Sequence, residues 1–320
     1  MKKLFLVIYL LLFPYQVLAY SNEIIIDPKP IGIEVHAKGI YIIDFYKVNG
    51  KLIAKNQGFQ IGDRIIEVNN KETNNINDLE KVITKEGEYK VAVYRNNEII
   101  NLTLKTEKEE NVIKTGLYVK DQINGVGTLS YIDPETKVFA SLGHDIIENS
   151  SKESFSLQDG SIYQVFLSNI KKSSKEAIGQ MSAEFTTEIL GSIKVNKENG
   201  IYGIYEKKLS NENKVEIAKK EEIKKGKAYI RLNINNEIEN YEISILSLDE
   251  SSQNKNILFE ITDEKLLSKT GGIIQGMSGS PILQNNKVIG IVNYVVVGTP
   301  EKGYGIFIEK MLEEGDKLIQ

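Results

Sequence analysis

Cysteine is missing from this 320-residue sequence, and histidine occurs only at His36 and His144. The absence of cysteine excludes disulfides, thiolate metal sites and a cysteine nucleophile. Two histidines are too few for a multi-histidine metal site, so we expect neither a metal nor another cofactor. Any chemistry that depends on an imidazole therefore has two candidates.

An excess of positive charge is also missing, because 40 basic and 44 acidic residues are spread along the chain. Nucleic-acid binding depends on a basic surface that releases counterions, so we expect no nucleic-acid partner. The hydrophobic content of 41% is that of a globular protein, and the length allows two domains.

The first 19 residues differ from the rest of the chain. Lys2 and Lys3 precede an apolar run over residues 4–13, and Val17-Leu18-Ala19 fits the small-residue pattern before a cleavage point. The run is short for a membrane span. We expect export across the cytoplasmic membrane, with residues 1–19 either removed after Ala19 as a signal peptide or retained as a membrane anchor.

Residues 20–105 have the pattern of a small α+β domain. A helix is predicted where Ile76, Leu79, Val82 and Ile83 recur at helical spacing after a capping asparagine. Residues 106–113 have the charged composition of a linker. Strand-like stretches occur at residues 31–35, 39–45, 64–68, 89–94 and 99–104, the last two separated by Asn96-Asn97.

Residues 114–320 are predicted to form a second, β-rich domain. Asn285-Asn286 predicts a hairpin turn between two apolar runs, and a long amphipathic helix is expected only near the end, within residues 307–318. Short apolar or alternating runs occur at residues 138–142, 229–234, 241–248, 257–261 and 288–297.

The string Gly276-Met277-Ser278-Gly279-Ser280-Pro281 is the strongest functional signal. A serine hydroxyl needs a base to take its proton and backbone N–H donors to hold the oxyanion. Flanking glycines permit the tight turn that directs such donors to one point. The simpler interpretation is a turn between two strands, so the string alone does not decide between them.

His144 supplies the context, because it follows the strand-like residues 138–142 and lies far upstream of Ser278. The general base of a serine nucleophile commonly comes from another part of the fold than the nucleophile itself. His36 lies in the N-terminal domain, so His144 is the candidate base for Ser278. The alternative is that His144 has a structural role.

The nucleophile string resembles that of trypsin-like peptidases, and the chain more closely resembles the stage IV sporulation protein B peptidases. The matching stretches are Ser141-Leu142-Gly143-His144, Ile261-Thr262-Asp263, residues 266–282 and Gly303-Tyr304-Gly305. The resemblance implies a trypsin-like double β-barrel peptidase domain after a PDZ domain, and thus a mainly β protein.

The same resemblance implies the roles of the site residues. Ser278 is then the nucleophile, His144 the base and Asp263 the acid that orients the histidine. Asp145 competes for that last role because it is adjacent to His144. By analogy, the backbone N–H groups of Gly276 and Ser278 form the oxyanion hole.

The PDZ resemblance is carried by residues 58–69, from Gly58-Phe59 to Val68-Asn69. PDZ domains bind an extended peptide, often a C-terminus, as an added strand. We expect Ile31, Gly32 and Ile33 to supply the peptide-binding loop and edge. A spacer role for this domain is the alternative.

The resemblance implies a serine endopeptidase that cleaves a membrane-associated regulatory protein during spore formation, in the space between the forespore membranes, with self-cleavage as a further expectation. One competing hypothesis is a non-catalytic PDZ scaffold whose peptidase-like domain binds partners. Another is a protein-quality-control protease, although such enzymes usually carry the PDZ domain after the catalytic one.

Overall fold

The computed structural model describes residues 21–210, 213–234 and 237–320. The predicted signal or anchor segment, residues 1–19, lies outside these ranges. Within them, no helix is both long and apolar enough to cross a membrane.

The described residues form a mainly β structure with four short α-helices. The helices are α1 (Ile53–Asn56), α2 (Ile76–Val82), α3 (Glu264–Thr270) and α4 (Ile308–Asp316). The strands are β1 (Glu23–Ile25), β2 (Pro30–Phe45), β3 (Arg64–Val68), β4 (Lys71–Glu72), β5 (Gly87–Arg95), β6 (Glu98–Glu109), β7 (Val112–Lys114), β8 (Leu117–Ile132), β9 (Val138–Ser141), β10 (Leu157–Lys171), β11 (Gly179–Lys197), β12 (Gly200–Tyr205), β13 (Lys214–Glu216), β14 (Gly226–Ile234), β15 (Glu237–Leu248), β16 (Ile257–Ile261), β17 (Ile274–Gln275), β18 (Pro281–Gln284), β19 (Lys287–Val296) and β20 (Thr299–Phe307).

Two closed rings of six strands are built from β2 and residues 117–307, which confirms the expected double-barrel fold. The first barrel follows the order β8-β9-β12-β11-β10-β2, and antiparallel pairing of β2 with β8 closes it. The second follows the order β14-β15-β16-β20-β19-β18. Closure pairs every strand of a barrel on both sides over part of its length, and the apolar side chains turn inward. The second core includes Ile230, Ile243, Phe259 and Val292.

The N-terminal half of β2 belongs to the first barrel. Gly32 lies opposite Val126 of β8 on one side and Tyr163 of β10 on the other. Ile31 and Ile33 are paired in the same way, and both side chains are buried. The prediction that Ile31, Gly32 and Ile33 offer an open edge to a peptide is therefore wrong, because the barrel already pairs both sides of this strand.

The C-terminal half of β2 enters the PDZ region, so one strand is shared by both parts. Ile40 lies opposite Ile65 of β3, and the apolar core here includes Ile42, Phe59 and Leu79. The predicted helix is confirmed as α2, and the Asn75 side chain caps it by accepting from the Asp78 N–H. Local periodicity and a local cap were sufficient to predict it.

The stretch predicted as a linker is a β-hairpin. Strand β6 runs on to Glu109 and pairs with β7, where Glu107 lies opposite Lys114. Its charged side chains are compatible with an exposed strand as well as with a linker, so composition alone did not distinguish the two.

The segment after His144 packs against the PDZ region. The Lys38 N–H donates to the Ser156 carbonyl at 2.8 Å. The rings of Tyr41 and Phe155 stack with centroids 5.5 Å apart. The fold therefore supports the chain on both sides of His144, with β9 before it and the PDZ region after it.

Candidate active site

A cleft of about 710 Å³ lies between the two barrels. It contains four of the predicted site residues, Ile33, His144, Gly276 and Ser278, whereas Asp263 is not among its lining residues. Much of the remaining wall is apolar. These apolar residues are Ile123, Val126, Leu142, Ile146, Ile147, Met181, Ala183 and Phe185.

The Ser278 turn joins β17 to β18 and is held by its own backbone. The Met277 N–H donates to Ile274 at 3.1 Å, and the Ser280 N–H donates to Met277 at 3.0 Å. The Gly279 N–H donates to the Val292 carbonyl of β19 at 2.8 Å. The local sequence therefore forms a tight turn that presents Ser278 at the cleft.

Thr128 of β8 fastens this turn to the first barrel. Its N–H donates to the Ser278 carbonyl at 3.0 Å, and its hydroxyl donates to the Gly276 carbonyl at 2.7 Å. Gly279 has φ of +102°, and a Cβ there would lie 2.0 Å from the Thr128 carbonyl oxygen. Only glycine permits this approach, so Gly279 sets the distance between the Ser278 turn and β8.

The backbone of the turn leaves the Ser278 N–H uncommitted. Within the described part of the chain, the Ser278 N–H donates no hydrogen bond. Gly276 has φ of +102°, and its carbonyl accepts from the Thr128 hydroxyl. This bond fixes the peptide unit between Gly276 and Met277, which precedes the unit that carries the Ser278 N–H. An uncommitted N–H beside a serine hydroxyl is suited to binding an oxyanion.

The Ser278 hydroxyl donates to the Asn293 carbonyl at 3.0 Å. Asn293 is buried, and its side-chain N–H group reaches the Gly143 carbonyl at 3.5 Å. Asn293 therefore contacts both the Ser278 hydroxyl and the residue that precedes His144. In the described residues, no hydrogen bond joins Ser278 directly to His144.

A left-handed turn delivers His144 to the cleft. Leu142 and Gly143, which follow β9, have φ of +75° and +71°. A Cβ on Gly143 would lie 3.0 Å from the Cβ of Asn293. The turn therefore brings the histidine segment of the first barrel against β19 of the second.

The imidazole of His144 is fixed by a hydrogen bond and a ring contact. Its Nδ1 lies 2.7 Å from the Asp145 carbonyl oxygen, which can only accept, so Nδ1 carries the proton. Burial lowers the pKa of His144, while the hydrogen bond to Asp145 and the charge of its carboxylate act in the opposite direction. The neutral ring then has its lone pair on Nε2, the state that a general base requires.

The structure does not bring Asp263 to His144, which contradicts the predicted triad. Asp263 is the N-cap of α3, where one carboxylate oxygen accepts from the Leu266 N–H at 3.0 Å. The other accepts from the Glu242 N–H at 3.3 Å. Both carboxylate oxygens of Asp263 thus accept from backbone N–H groups, one in α3 and one in β15. An aspartate directly before Glu264 and three residues before Leu266 is an N-cap signal that the sequence offered.

Asp145 orients the His144 ring through its backbone carbonyl and not through its carboxylate. It lines the cleft beside His144, and its carbonyl accepts the Nδ1 proton. The expectation that one carboxylate of a triad would hold the histidine is therefore not met by either aspartate.

Sequence reasoning missed three residues that shape the site: Thr128, Asn293 and Tyr294. Asn293 did carry a signal, because it is a polar residue within the apolar run of residues 288–297 and is buried. Thr128 and Tyr294 carried none, since their partners lie far away in sequence. In the described ranges, no group of three or more His, Cys, Asp or Glu side chains could hold a metal ion.

Comparison with known proteins gives two family matches. The SpoIVB peptidase S55 family matches residues 111–312, and the PDZ domain family matches residues 23–105. No curated protein matches the chain. The active form of Rv3671c protease from M. tuberculosis is similar at 10% identity, covering 60% of this chain and 72% of that one, with a TM-score of 0.29. The inactive form of Rv3671c protease is similar at 11% identity, covering 59% and 80%, with a TM-score of 0.26.

Proposed function

The chain belongs to the SpoIVB peptidase S55 family, and from that premise we propose that it is an exported serine endopeptidase with Ser278 as nucleophile and His144 as general base. Membership makes it a serine peptidase, and its PDZ domain implies a protein substrate and peptide binding. The observation that carries the proposal is that Ser278 lines the same cleft as His144, the one histidine within residues 111–312 that match the peptidase family.

In the proposed reaction, the Ser278 hydroxyl leaves the Asn293 carbonyl and turns toward Nε2 of His144. Its oxygen attacks the carbonyl carbon of the scissile peptide bond while its proton passes to Nε2. The protonated imidazole then gives that proton to the leaving amine, and an acyl-enzyme remains. Water, deprotonated by His144, attacks the ester and releases Ser278.

The oxyanion of each tetrahedral intermediate needs N–H donors close to Ser278. The Ser278 N–H is uncommitted, and we assign the hole to the N–H groups of Gly276 and Ser278. Losing one such donor typically reduces the rate by about 10²–10³-fold. The bonds from Thr128 hold the Gly276 and Ser278 carbonyls, and so fix the peptide units that directly follow these two N–H groups along the chain.

Asp263 has a structural role in this proposal, and the catalytic pair is Ser278 and His144. The Asp145 carbonyl fixes the tautomer of His144, which is the function that an orienting carboxylate has in a triad. A backbone carbonyl carries no full charge, so it stabilises the imidazolium less than a carboxylate does.

The proposed substrate is a membrane-associated regulatory protein of spore formation, cleaved in the space between the forespore membranes. The family match and the signal-like sequence pattern of residues 1–19 support this assignment. The largely apolar cleft wall favours an extended apolar segment at the cut site. The same protein could cleave its own chain through this site.

A non-catalytic scaffold is the second candidate. The specific observation in its favour is the Ser278 hydroxyl, which donates to the Asn293 carbonyl and not to a base. A scaffold needs the PDZ domain but not a reactive serine.

Covalent labelling separates the two functions. A fluorophosphonate should label Ser278 of the mature protein, and both Ser278→Ala and His144→Ala should abolish labelling while circular dichroism stays unchanged. Mass spectrometry of the protein alone and with candidate membrane proteins should show cuts that are absent with Ser278→Ala. Cuts that persist in Ser278→Ala, or the absence of labelling in the parent protein, would favour the scaffold.

A further inference from the structure

We propose that Tyr294 is a positioning residue for His144, holding the imidazole by ring stacking at a site where no carboxylate is bonded to it. This inference rests on the proposed function of His144 as general base. The two rings stack with centroids 5.2 Å apart and planes inclined by 25°. Among the residues that the structure describes, this stack and the hydrogen bond to the Asp145 carbonyl hold the ring.

The position of Tyr294 follows from the second barrel. It lies on β19 opposite Tyr304 of β20, directly after Asn293, whose carbonyl accepts from Ser278. The strand that receives the serine hydroxyl therefore also presents the ring that packs on His144. A shift of β19 would therefore move the acceptor of the Ser278 hydroxyl and the ring that packs on His144 together.

The Tyr294 ring is itself held by two further residues. The Lys255 ammonium lies 5.3 Å from the centroid of Tyr294 and 5.4 Å from that of Tyr304. The Asn254 side chain donates to the Tyr294 hydroxyl at 3.4 Å. A cation on two aromatic faces and a hydrogen bond at the ring tip restrict its rotation.

Stacking does two things that a catalytic imidazole requires. It sets the plane of the ring, which a single hydrogen bond at Nδ1 leaves free to tilt about that bond. It also covers one face against water and so contributes to the burial that keeps the ring neutral. The charged groups around the stack are the Asp145 carboxylate, the Lys255 ammonium and the Glu198 carboxylate, which acts on Tyr294.

Three variants test the role of the ring. Tyr294→Leu removes the aromatic face, and Tyr294→Phe keeps it but loses the hydroxyl. Tyr304→Leu is the matched control, because Tyr304 packs on the same Lys255 ammonium and pairs with Tyr294 across the strands. Circular dichroism establishes that each variant is folded.

The first readout needs no activity. The protein has two histidines, so imidazole NMR gives two titrations, and a His36→Gln variant identifies that of His144. We expect Tyr294→Leu to raise the pKa of His144 toward its ordinary value and to broaden the range of ring orientations. Tyr294→Phe and Tyr304→Leu should leave the titration in place.

The second readout is the rate of fluorophosphonate labelling at saturating probe, measured against pH. We expect a loss of about 10–100-fold with Tyr294→Leu, because a displacement of about 1 Å in a catalytic group costs about that much. Probe affinity should change little, and Tyr294→Phe should recover most of the rate.

An unchanged His144 titration in folded Tyr294→Leu would overturn the inference, as would an equal effect of Tyr304→Leu. Absence of labelling in the parent protein would instead refute the proposed catalytic function. In that case the NMR titration still decides whether Tyr294 positions His144.

Discussion

Replacing Asp263 distinguishes a helix cap from a catalytic carboxylate. In the structure, Asp263 accepts one hydrogen bond at the start of α3 and a second from the Glu242 N–H of β15. Asp263→Asn keeps an oxygen for the cap, since asparagine caps helices as well as aspartate does. Its amide nitrogen cannot accept from Glu242, so one hydrogen bond is lost.

The magnitudes follow from these two bonds. We expect Asp263→Asn to lower the free energy of unfolding by about 1 kcal/mol, the net value of one hydrogen bond. Asp263→Ala also loses the cap, which adds about 1 kcal/mol. For a domain of this size, these losses correspond to decreases in Tm of about 2–4 °C and about 4–8 °C. Both variants should stay folded at 25 °C.

The assay is the rate of fluorophosphonate labelling per folded molecule, with Tm measured on the same samples. Because Asp263 has no contact with the cleft, we expect Asp263→Asn to label within about twofold of the parent rate. If Asp263 oriented His144, the same change would reduce the rate by about 10⁴-fold. A folded Asp263→Asn protein that labels more than 100-fold slower would refute the structural role that we assign.

Two further predictions concern the two sides of the cleft. Burial lowers the pKa of His144, so the acidic midpoint of the labelling rate should lie below pH 6.5. The midpoint should be lower still in Asp145→Asn, because the Asp145 carboxylate raises that pKa. A midpoint at or above pH 6.5 in the parent protein would contradict this prediction. Gly279→Ala should destabilise the fold by about 2–5 kcal/mol in urea unfolding, from left-handed backbone strain and overlap with Thr128. Gly298→Ala is the control, since φ there is +81° and an added Cβ would have no atom within 4 Å. This change should lower the free energy of unfolding by about 1–2 kcal/mol, from backbone strain alone. Equal losses of stability in the two variants would argue against the close approach of Gly279 to Thr128.

The shared strand β2 explains why the two domains are difficult to separate in the sequence. Residues 31–35 and 39–45 each looked like a strand of one small domain. In the structure they form one continuous strand, with the first half in the barrel and the second half in the PDZ region. Alternation along a strand predicts which side chains are buried, but it contains no information about which neighbour covers them.

The sequence by itself determined the features that depend on neighbours along the chain. The turn around Ser278, the Asn285-Asn286 hairpin and the capped helix α2 follow from glycine, asparagine and apolar spacing within a few residues. The composition also left two candidate imidazoles, of which only His144 lies within residues 111–312. His36 was expected in the N-terminal domain, but it lies on the barrel part of β2, opposite Gln122 and Asp159.

The tertiary structure alone decided which groups meet across the barrels. Thr128 reaches the nucleophile turn, Tyr294 stacks on His144, and Asp263 remains at its helix, over separations that no local pattern encodes. The physical reason is that barrel closure and strand register set these contacts, and both depend on packing of the whole core.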